Sequence, residues 1–408
     1  MKKRILILNC GSSSVKYELM DMDSLRIIAK GFVERVGMED SLVHHHYLDN
    51  GSYGDIKTSK SIPNHTEAIE YIIELLKDPK VGVIKDIADI YGIGHRVVHG
   101  GEKHTEPAYI DDEIKEDIKN CIDLAPLHNP HHLAGIHACE DLIPDHHQVA
   151  VFDTAFHQSI EKKAYIYALP YEAYSKYGVR KYGFHGTSHK YVSGRSAEIA
   201  GIPLEKSRIV SCHLGNGASA CAVKNGKSID TSMGFTPLSG LVMGTRCGDI
   251  DPAVLLYMMN KESFTPHEIN VILNRHSGLL GISGVSRDFR EIMESADKGH
   301  ERSRLAIDIY AYRIKKYIGS YTAALSGLDL LVFTAGIGEN SPYLREVVCS
   351  DMEYLGIKLD KKKNYDCIGK EGVISGSESK VKVMVVPTEE ELMIARETLR
   401  VIEGRKGE

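Results

Sequence analysis

Three short runs of glycine and small polar residues carry the first chemical signal: Asn9-Cys10-Gly11-Ser12-Ser13-Ser14, His213-Leu214-Gly215-Asn216-Gly217 and Gly336-Ile337-Gly338-Glu339-Asn340. Each follows an apolar run. Turns of this composition expose backbone N–H groups and let an anion come close, and the serine hydroxyls of the first add donors. Lys16 follows the serines as a point charge. No GxxxxGK[ST] loop is present, so this is not a Walker-type turn. Gly215 to Ala220 spells GxGxxA, but a dinucleotide fingerprint must open a helix, whereas residues 218–223 alternate like a strand.

Two arginines stand in glycine-flanked segments, Arg96 in Gly94-His95-Arg96-Val97-Val98-His99-Gly100-Gly101 and Arg246 in Met243-Gly244-Thr245-Arg246-Cys247-Gly248-Asp249. A planar guanidinium matches carboxylate or phosphate through two parallel hydrogen bonds. His128 and His185 lie in turns of small residues, and Asp153 closes the apolar run Val149-Ala150-Val151-Phe152. Singly, each has a plain structural reading: a surface ion pair, a core histidine, a helix cap. As a set they supply what phosphoryl transfer between anions needs, and no metal-ligand spacing or nucleophile–base motif competes with them.

The elements that must hold these groups are strands and helices in alternation, which points to an α/β protein. Ile5 to Leu8 and Val15 to Leu19 flank the first turn, and Ile209 to Cys212 with the stretch to Val223 flank the second, followed by an Asn225-Gly226 hairpin turn. Two such hairpins about half a chain apart suggest a duplicated architecture. Leu330 to Phe333 is a further buried strand, and Gly336–Asn340 links it to a helix opening at Ser341-Pro342. Ile307, Ala311, Ile314, Ile318, Tyr321 and Leu325 make a 4-3-4-3-4 stripe, the mark of one buried helix face. The last helix carries Leu392, Ala395, Leu399 and Ile402, with Thr388 and Glu391 placed for a capping box. Residues 38–64 show little periodicity, and His44-His45-His46 there reads as a solvated loop or half-exposed strand. The domain boundary falls near Asp153.

Composition narrows the function class. The chain has 408 residues, 42% hydrophobic and 26% charged, with a formal net charge of −6, which suits a soluble protein of two domains. No basic block marks a nucleic-acid partner. The eight cysteines form no CxxC pair and read as reduced thiols of a cytoplasmic protein. The run Ile5–Leu8 is too short for a signal-peptide core, and no apolar run reaches membrane-spanning length.

With these motifs in view, the chain resembles the acetokinase (acetate kinase) family. Ile5 to Lys16 and Ile209 to Ser219 look like its two signatures. The likeness continues through Gly94–Gly101, Val151–His157, Tyr182–His189, Met243–Arg246, Phe333–Asn340 and Pro387–Ala395. The resemblance implies the fold of the sugar kinase, Hsp70 and actin superfamily: two duplicated ribonuclease H-like domains around a nucleotide cleft. The expected domains are 1–152, with a C-terminal segment 386–408 folding back onto it, and 153–385. It also implies a homodimer, ATP/ADP, and Mg²⁺ with Mn²⁺ as an alternative.

On the same basis Asn9 and Glu390 would serve the metal, while Ser12, Lys16 and His213, Leu214, Gly215, Asn216 and Gly217 would face the phosphates. Asp288, Phe289 and Arg290, with Gly336, Ile337, Gly338, Glu339 and Asn340, would hold the adenosine side. Arg96 would bind the substrate carboxylate, with Val98, Leu127, His128, Phe184 and Pro237 around the acyl group. Asp153, His185 and Arg246 would be catalytic. The choice of Glu390 over Glu391 also follows from the capping box, which would occupy Glu391. The sequence departs from the family's usual residues at Glu389, Ser239 and Cys247, where Asn, Glu and Ser are common.

A carboxylic acid is already ionised at neutral pH, so the acceptor needs no general base. The expected reaction is therefore direct in-line transfer, with Asp153 orienting its neighbours rather than accepting a proton. Propionate or butyrate would be the nearest rival substrate, since one methylene changes discrimination by only ~1–3 kcal/mol. A sugar kinase of the superfamily, and a chaperone- or actin-like ATPase module, are more distant alternatives.

Overall fold

A computed structural model describes residues 2–49 and 51–406. The chain divides into two compact units, one made of the residues up to Ala155 together with the segment from Glu389, the other of Phe156–Thr388.

In the first unit the strands are β1 (Arg4–Gly11), β2 (Ser14–Asp21), β3 (Arg26–Glu34), β4 (Ser41–Asp49), β5 (Ser52–Lys60), β6 (Gly92–Val97), β7 (Ala108–Tyr109) and β8 (Gln148–Phe152). They form one sheet in the order β5-β4-β3-β2-β1-β6-β8-β7. β1 reads as an unbroken apolar run because it is buried on both faces. Leu6 and Leu8 pack toward the helices His65–Lys77 and Asn129–Leu142, while Ile5 and Ile7 pack under Ile394, Ala395 and Ile402 of the last helix. That helix, Glu390–Lys406, lies flat on β6. A Cβ on Gly94 would come within 2.3 Å of Thr398 Oγ1, so only glycine permits the approach.

The second unit has β9 (Arg208–Leu214), β10 (Ala218–Lys224), β11 (Lys227–Thr231), β12 (Leu330–Thr334), β13 (Gly372–Val373) and β14 (Lys382–Val385), in the order β11-β10-β9-β12-β14-β13. The duplication is visible in the pairings. β1 is antiparallel to β2 and parallel to β6, β2 is antiparallel to β3, and β6 is parallel to β8. β9, β10, β11, β12 and β14 repeat that pattern strand for strand. The helix Glu301–Leu325 buries the whole expected stripe from Ile307 to Leu325.

At His44–His46 the half-exposed strand is borne out over the solvated loop, and two local expectations need correction. β4 and β5 pair antiparallel: His45 points inward to Tyr17, while His44 and His46 point outward and both bond Asp55 at 2.7 and 3.0 Å. This is ordinary period-two alternation, made hard to read by its polar residues. Gly336–Asn340 is part of a short helix, Ala335–Asn340, rather than a plain link. Among the described residues no capping box forms at Thr388, whose N–H donates to Glu339 Oε1 at 3.2 Å. The first turn of the last helix starts one residue later, with Met393 N–H donating to Glu389 C=O at 3.1 Å. The Thr388 hydroxyl instead donates to Ser188 Oγ at 2.8 Å.

Candidate active site

The first unit gathers its chemistry at the carboxyl ends of β1, β6 and β8. Asn9 stands opposite Lys16 across the β1–β2 hairpin, whose exposed tip carries Ser12. Asp153 follows β8 directly, its N–H donating to Val97 C=O at 2.9 Å and so prolonging the ladder. Its carboxylate is 1% exposed and pairs with Arg96 Nη2, while Arg96 Nη1 reaches Asn9 Oδ1 at 3.4 Å. Arg96 Nε is buried with no hydrogen-bond partner among the described residues.

Glu390 opens the last helix in the same neighbourhood. Burial lifts its carboxyl to about 7, Arg96 and Lys16 oppose the shift, and Asp153 and Glu391 add to it. Glu391 lines a cavity of about 350 Å³ with Asn9, Lys16, Glu18 and Lys30. Glu18 is also raised to about 7, by burial first and then by the Glu391 charge. Val98 is buried, Leu127 is 62% exposed, and His128 sits at the N-terminus of the helix Asn129–Leu142.

Among the described residues no three His, Cys, Asp or Glu groups converge on a metal position. A Mg²⁺ ion nonetheless fits what is there. The Asn9 amide and Glu390 carboxylate are hard oxygen donors, and Mg²⁺ commonly takes its remaining ligands from water and substrate phosphates.

The second unit builds around the β9–β10 turn. Gly215 N–H donates to Gly217 C=O at 3.0 Å, closing the turn after His213 and Leu214. Gly244 allows the next segment to dock: its N–H donates to Asn216 C=O at 3.0 Å, and a Cβ there would lie 2.4 Å from Asn216 Oδ1. His185 precedes the helix Gly186–Ala200 in the left-handed conformation, φ 57°, which is costly for a residue with a side chain. Its ring stacks on His213 with centroids 4.1 Å apart. A Cβ on Gly217 would lie 3.5 Å from His185 Nε2 and 3.6 Å from Arg246 Nη1, so both groups flank the turn.

Arg246 donates to Pro237 C=O at 3.1 Å, and among the described residues no carboxylate faces it. Burial lowers its pKa, as expected for a cation without a counter-charge. Phe184 is buried, and its C=O accepts from His157 Nε2 at 2.9 Å.

A separate cavity of about 710 Å³ collects most of the expected adenosine-side residues. Asp288, Phe289 and Arg290 line it, together with Gly336, Ile337 and Asn340, and with Gly215 and Asn216. Asp288 caps the helix Phe289–Asp297 through Arg290 N–H at 2.9 Å and pairs with the Arg290 guanidinium at 2.7 Å. Gly338, Glu339 and Leu214 lie outside the cavity lining. Gly338 packs against Leu214, and Glu339 Oε1 accepts from Thr388 N–H at 3.2 Å. Sequence reasoning missed Arg287, Met293 and Tyr343 in this cavity, although Tyr343 directly follows the Ser341-Pro342 helix start. It also missed Glu18 and Lys30, whose place beside Lys16 depends on strand register.

Comparison with known proteins agrees with this geometry. A family model described as the acetokinase family matches residues 4–396. An acetate kinase of Thermoanaerobacter pseudethanolicus is 55% identical over 404 residues, covering 99% of this chain and 100% of that one. The crystal structure of Porphyromonas gingivalis acetate kinase is similar at a TM-score of 0.94 and 50% identity, covering 98% of this chain and 100% of that one. A propionate kinase structure from Francisella tularensis is similar at 0.89 and 42% identity, with the same coverage.

Proposed function

The chain belongs to the acetokinase family, and we propose that it transfers the γ-phosphoryl group of ATP to acetate, giving acetyl phosphate and ADP. The observation that carries this reading is Arg246: a guanidinium mostly out of water, facing no carboxylate among the described residues, beside His185 at a glycine turn. Such a charge is stable only in the company of an anion.

Two anions must meet in this reaction, and the acceptor arrives ionised, so the work is positioning and charge compensation rather than base catalysis. Arg96 holds the acetate carboxylate, with its Nε donor still to be satisfied. Asp153 fixes the guanidinium of Arg96 and takes no proton. Arg246 and His185 stabilise the charge that spreads over the transferring group. The cavity between Asp288–Arg290 and Gly336–Asn340 takes the adenosine end of ATP. Asn9 and Glu390 would hold Mg²⁺, which when bound neutralises charge on the phosphate oxygens.

The enzyme is a homodimer in this reading. The helix Pro252–Glu262 buries no residue, yet carries Val254, Leu256 and Tyr257 at 44%, 65% and 63% exposure, an apolar face suited to a second copy. A cytoplasmic location fits the eight cysteines, all of which are free thiols. Among the described residues no helix is long and apolar enough to cross a membrane.

The test is direct. Purified protein is incubated with ATP, Mg²⁺ and a series of short carboxylates, and acyl phosphate is trapped with hydroxylamine. Acetate should give the highest kcat/KM and glycerol or glucose no product. A higher value with propionate would transfer the reading to a propionate kinase.

A further inference from the structure

Behind His185 and His213 lie two rows of hydrogen bonds that end inside the second unit. In the first, Ser211 Oγ meets His189 Nδ1 at 2.7 Å, His189 Nε2 meets Ser219 Oγ at 2.8 Å, and Ser219 Oγ meets His185 Nδ1 at 2.9 Å. In the second, the Thr388 hydroxyl donates to Ser188 Oγ at 2.8 Å, and Ser188 Oγ meets His213 Nδ1 at 2.8 Å. Ser188, His189, Ser211 and Ser219 are fully buried.

We propose that these rows fix the tautomers of both rings, so that His185 and His213 each carry a proton on Nε2 and present it to the Gly215–Gly217 turn. The proposal rests on the reading that phosphate groups come to this turn. What it adds is a set of positioning residues, Ser219, His189, Ser211, Ser188 and Thr388, that touch neither reactant.

The direction of each row follows from counting protons. A hydroxyl has one proton to give, and a neutral imidazole has one N–H and one bare nitrogen. In the second row Thr388 donates to Ser188. If His213 Nδ1–H donated to Ser188 as well, the buried Ser188 proton would have no acceptor among the described residues, so Ser188 donates to His213 Nδ1 and Nε2 is the protonated atom. In the first row the arrangements differ in which proton they strand: with Ser219 accepting from both rings, its own proton has no acceptor among the described residues, which leaves two directions. If Ser211 donates to His189 Nδ1, then His189 Nε2–H donates to Ser219 and Ser219 donates to His185 Nδ1. Every proton in the row is used, and the His185 N–H is on Nε2. In the opposite direction His185 Nδ1–H starts the row and the Ser211 proton ends it, with no acceptor among the described residues. A buried donor left without an acceptor is the costlier arrangement.

The far ends of the rings point where the proposal requires. A Cβ on Gly217 would lie 3.5 Å from His185 Nε2, and one on Gly215 would lie 3.8 Å from His213 Nε2. The same row opposes a doubly protonated His185. That species must donate from Nδ1 as well, which reverses the first row and strands the Ser211 proton. His189 cannot relay a proton in exchange, since complete burial holds it neutral, its pKa well below the ordinary histidine value. The rows are therefore fixed supports, and the two stacked rings remain a constant pair of donors.

The experiment is long-range proton–nitrogen NMR on the full chain labelled with ¹⁵N at the histidine rings, with His185→Gln and His213→Gln used only for assignment. Both rings are expected in the Nε2–H form. A proton on Nδ1 of His185 would overturn the proposal. Ser219→Ala supplies a second readout: kcat should fall ~10–100-fold, the scale of a misplaced catalytic group, with KM for acetate unchanged. Its kcat profile should also gain an acid limb as His185 becomes free to protonate. A Ser219→Ala enzyme with the kcat and pH profile of the parent refutes the positioning role. Should His185→Gln keep full activity, the role of that ring in phosphoryl transfer fails, whereas its tautomer in the parent protein is decided by the spectra alone.

Discussion

Arg96 and Arg246 are assigned related electrostatic work, yet the structure sets different stability costs for removing them. Asp153 and Arg96 pair with side chains 1% and 21% exposed. Arg96→Ala therefore takes one ion-pair partner from a buried carboxylate, and breaking a buried pair costs ~3–5 kcal/mol. Because Arg96 keeps some contact with water, the lower end, ~3 kcal/mol, is expected. For a domain of 150–250 residues that corresponds to a fall in Tm of roughly 6–12 °C. Arg246→Ala instead loses a hydrogen bond to Pro237 C=O, ~1 kcal/mol, with a weak one to Met243 Sδ, and relieves a buried charge that faces no carboxylate among the described residues. The net change should be near zero. Both variants should lose ~10³-fold or more in kcat/KM, the scale of arginine-finger effects. Thermal unfolding of the substrate-free proteins, paired with the hydroxylamine assay, separates the two. An Arg246→Ala protein that melts as early as Arg96→Ala would refute the claim that Arg246 waits for an anion.

Three further outcomes are expected. Glu18 titrates near 7 rather than the ordinary 4.5, so its contribution is fully present below pH 4.5 and is lost as pH rises through 7. Glu18→Gln should therefore raise stability by on the order of 1–2 kcal/mol at pH 8, after discounting for its partial exposure, and by a few tenths at pH 5; urea titrations at the two pH values check this. If the protein is the proposed dimer, Leu256→Glu should convert it to a monomer in sedimentation velocity, and a variant still dimeric would place the interface elsewhere. Ser326 ends the helix Glu301–Leu325 at φ 59°. Ser326→Gly should add ~0.5–1 kcal/mol in a melt by removing a side chain from that left-handed position.

The residues that could be read from sequence are those whose role is local. A glycine turn after an apolar run, as at Gly215–Gly217, is visible in a short window, and so is the stripe from Ile307 to Leu325. The strand-to-strand duplication was suggested by the paired hairpins and is borne out by the sheet orders. What escaped depends on contacts between distant segments. Glu18 and Lys30 matter through their register across β2 and β3, and the hydroxyl rows join Ser188 to Thr388, 200 positions apart. The capping box failed for a related reason. The helix starts from Glu389 C=O, and the Thr388 N–H that the box would pair with Glu391 donates to Glu339 Oε1, a distant competitor that spacing cannot reveal.

The central claim is that fixed cations bring an ionised acid to the γ-phosphate, with no proton removed and no phosphorylated side chain in between. Counting ADP against acyl phosphate in one reaction, with and without acetate, tests it most directly. One acyl phosphate should form for every ADP, and ADP release without an acid should be slower by ~100-fold or more, as expected when site closure excludes water. Equal ADP release in the two reactions would contradict it.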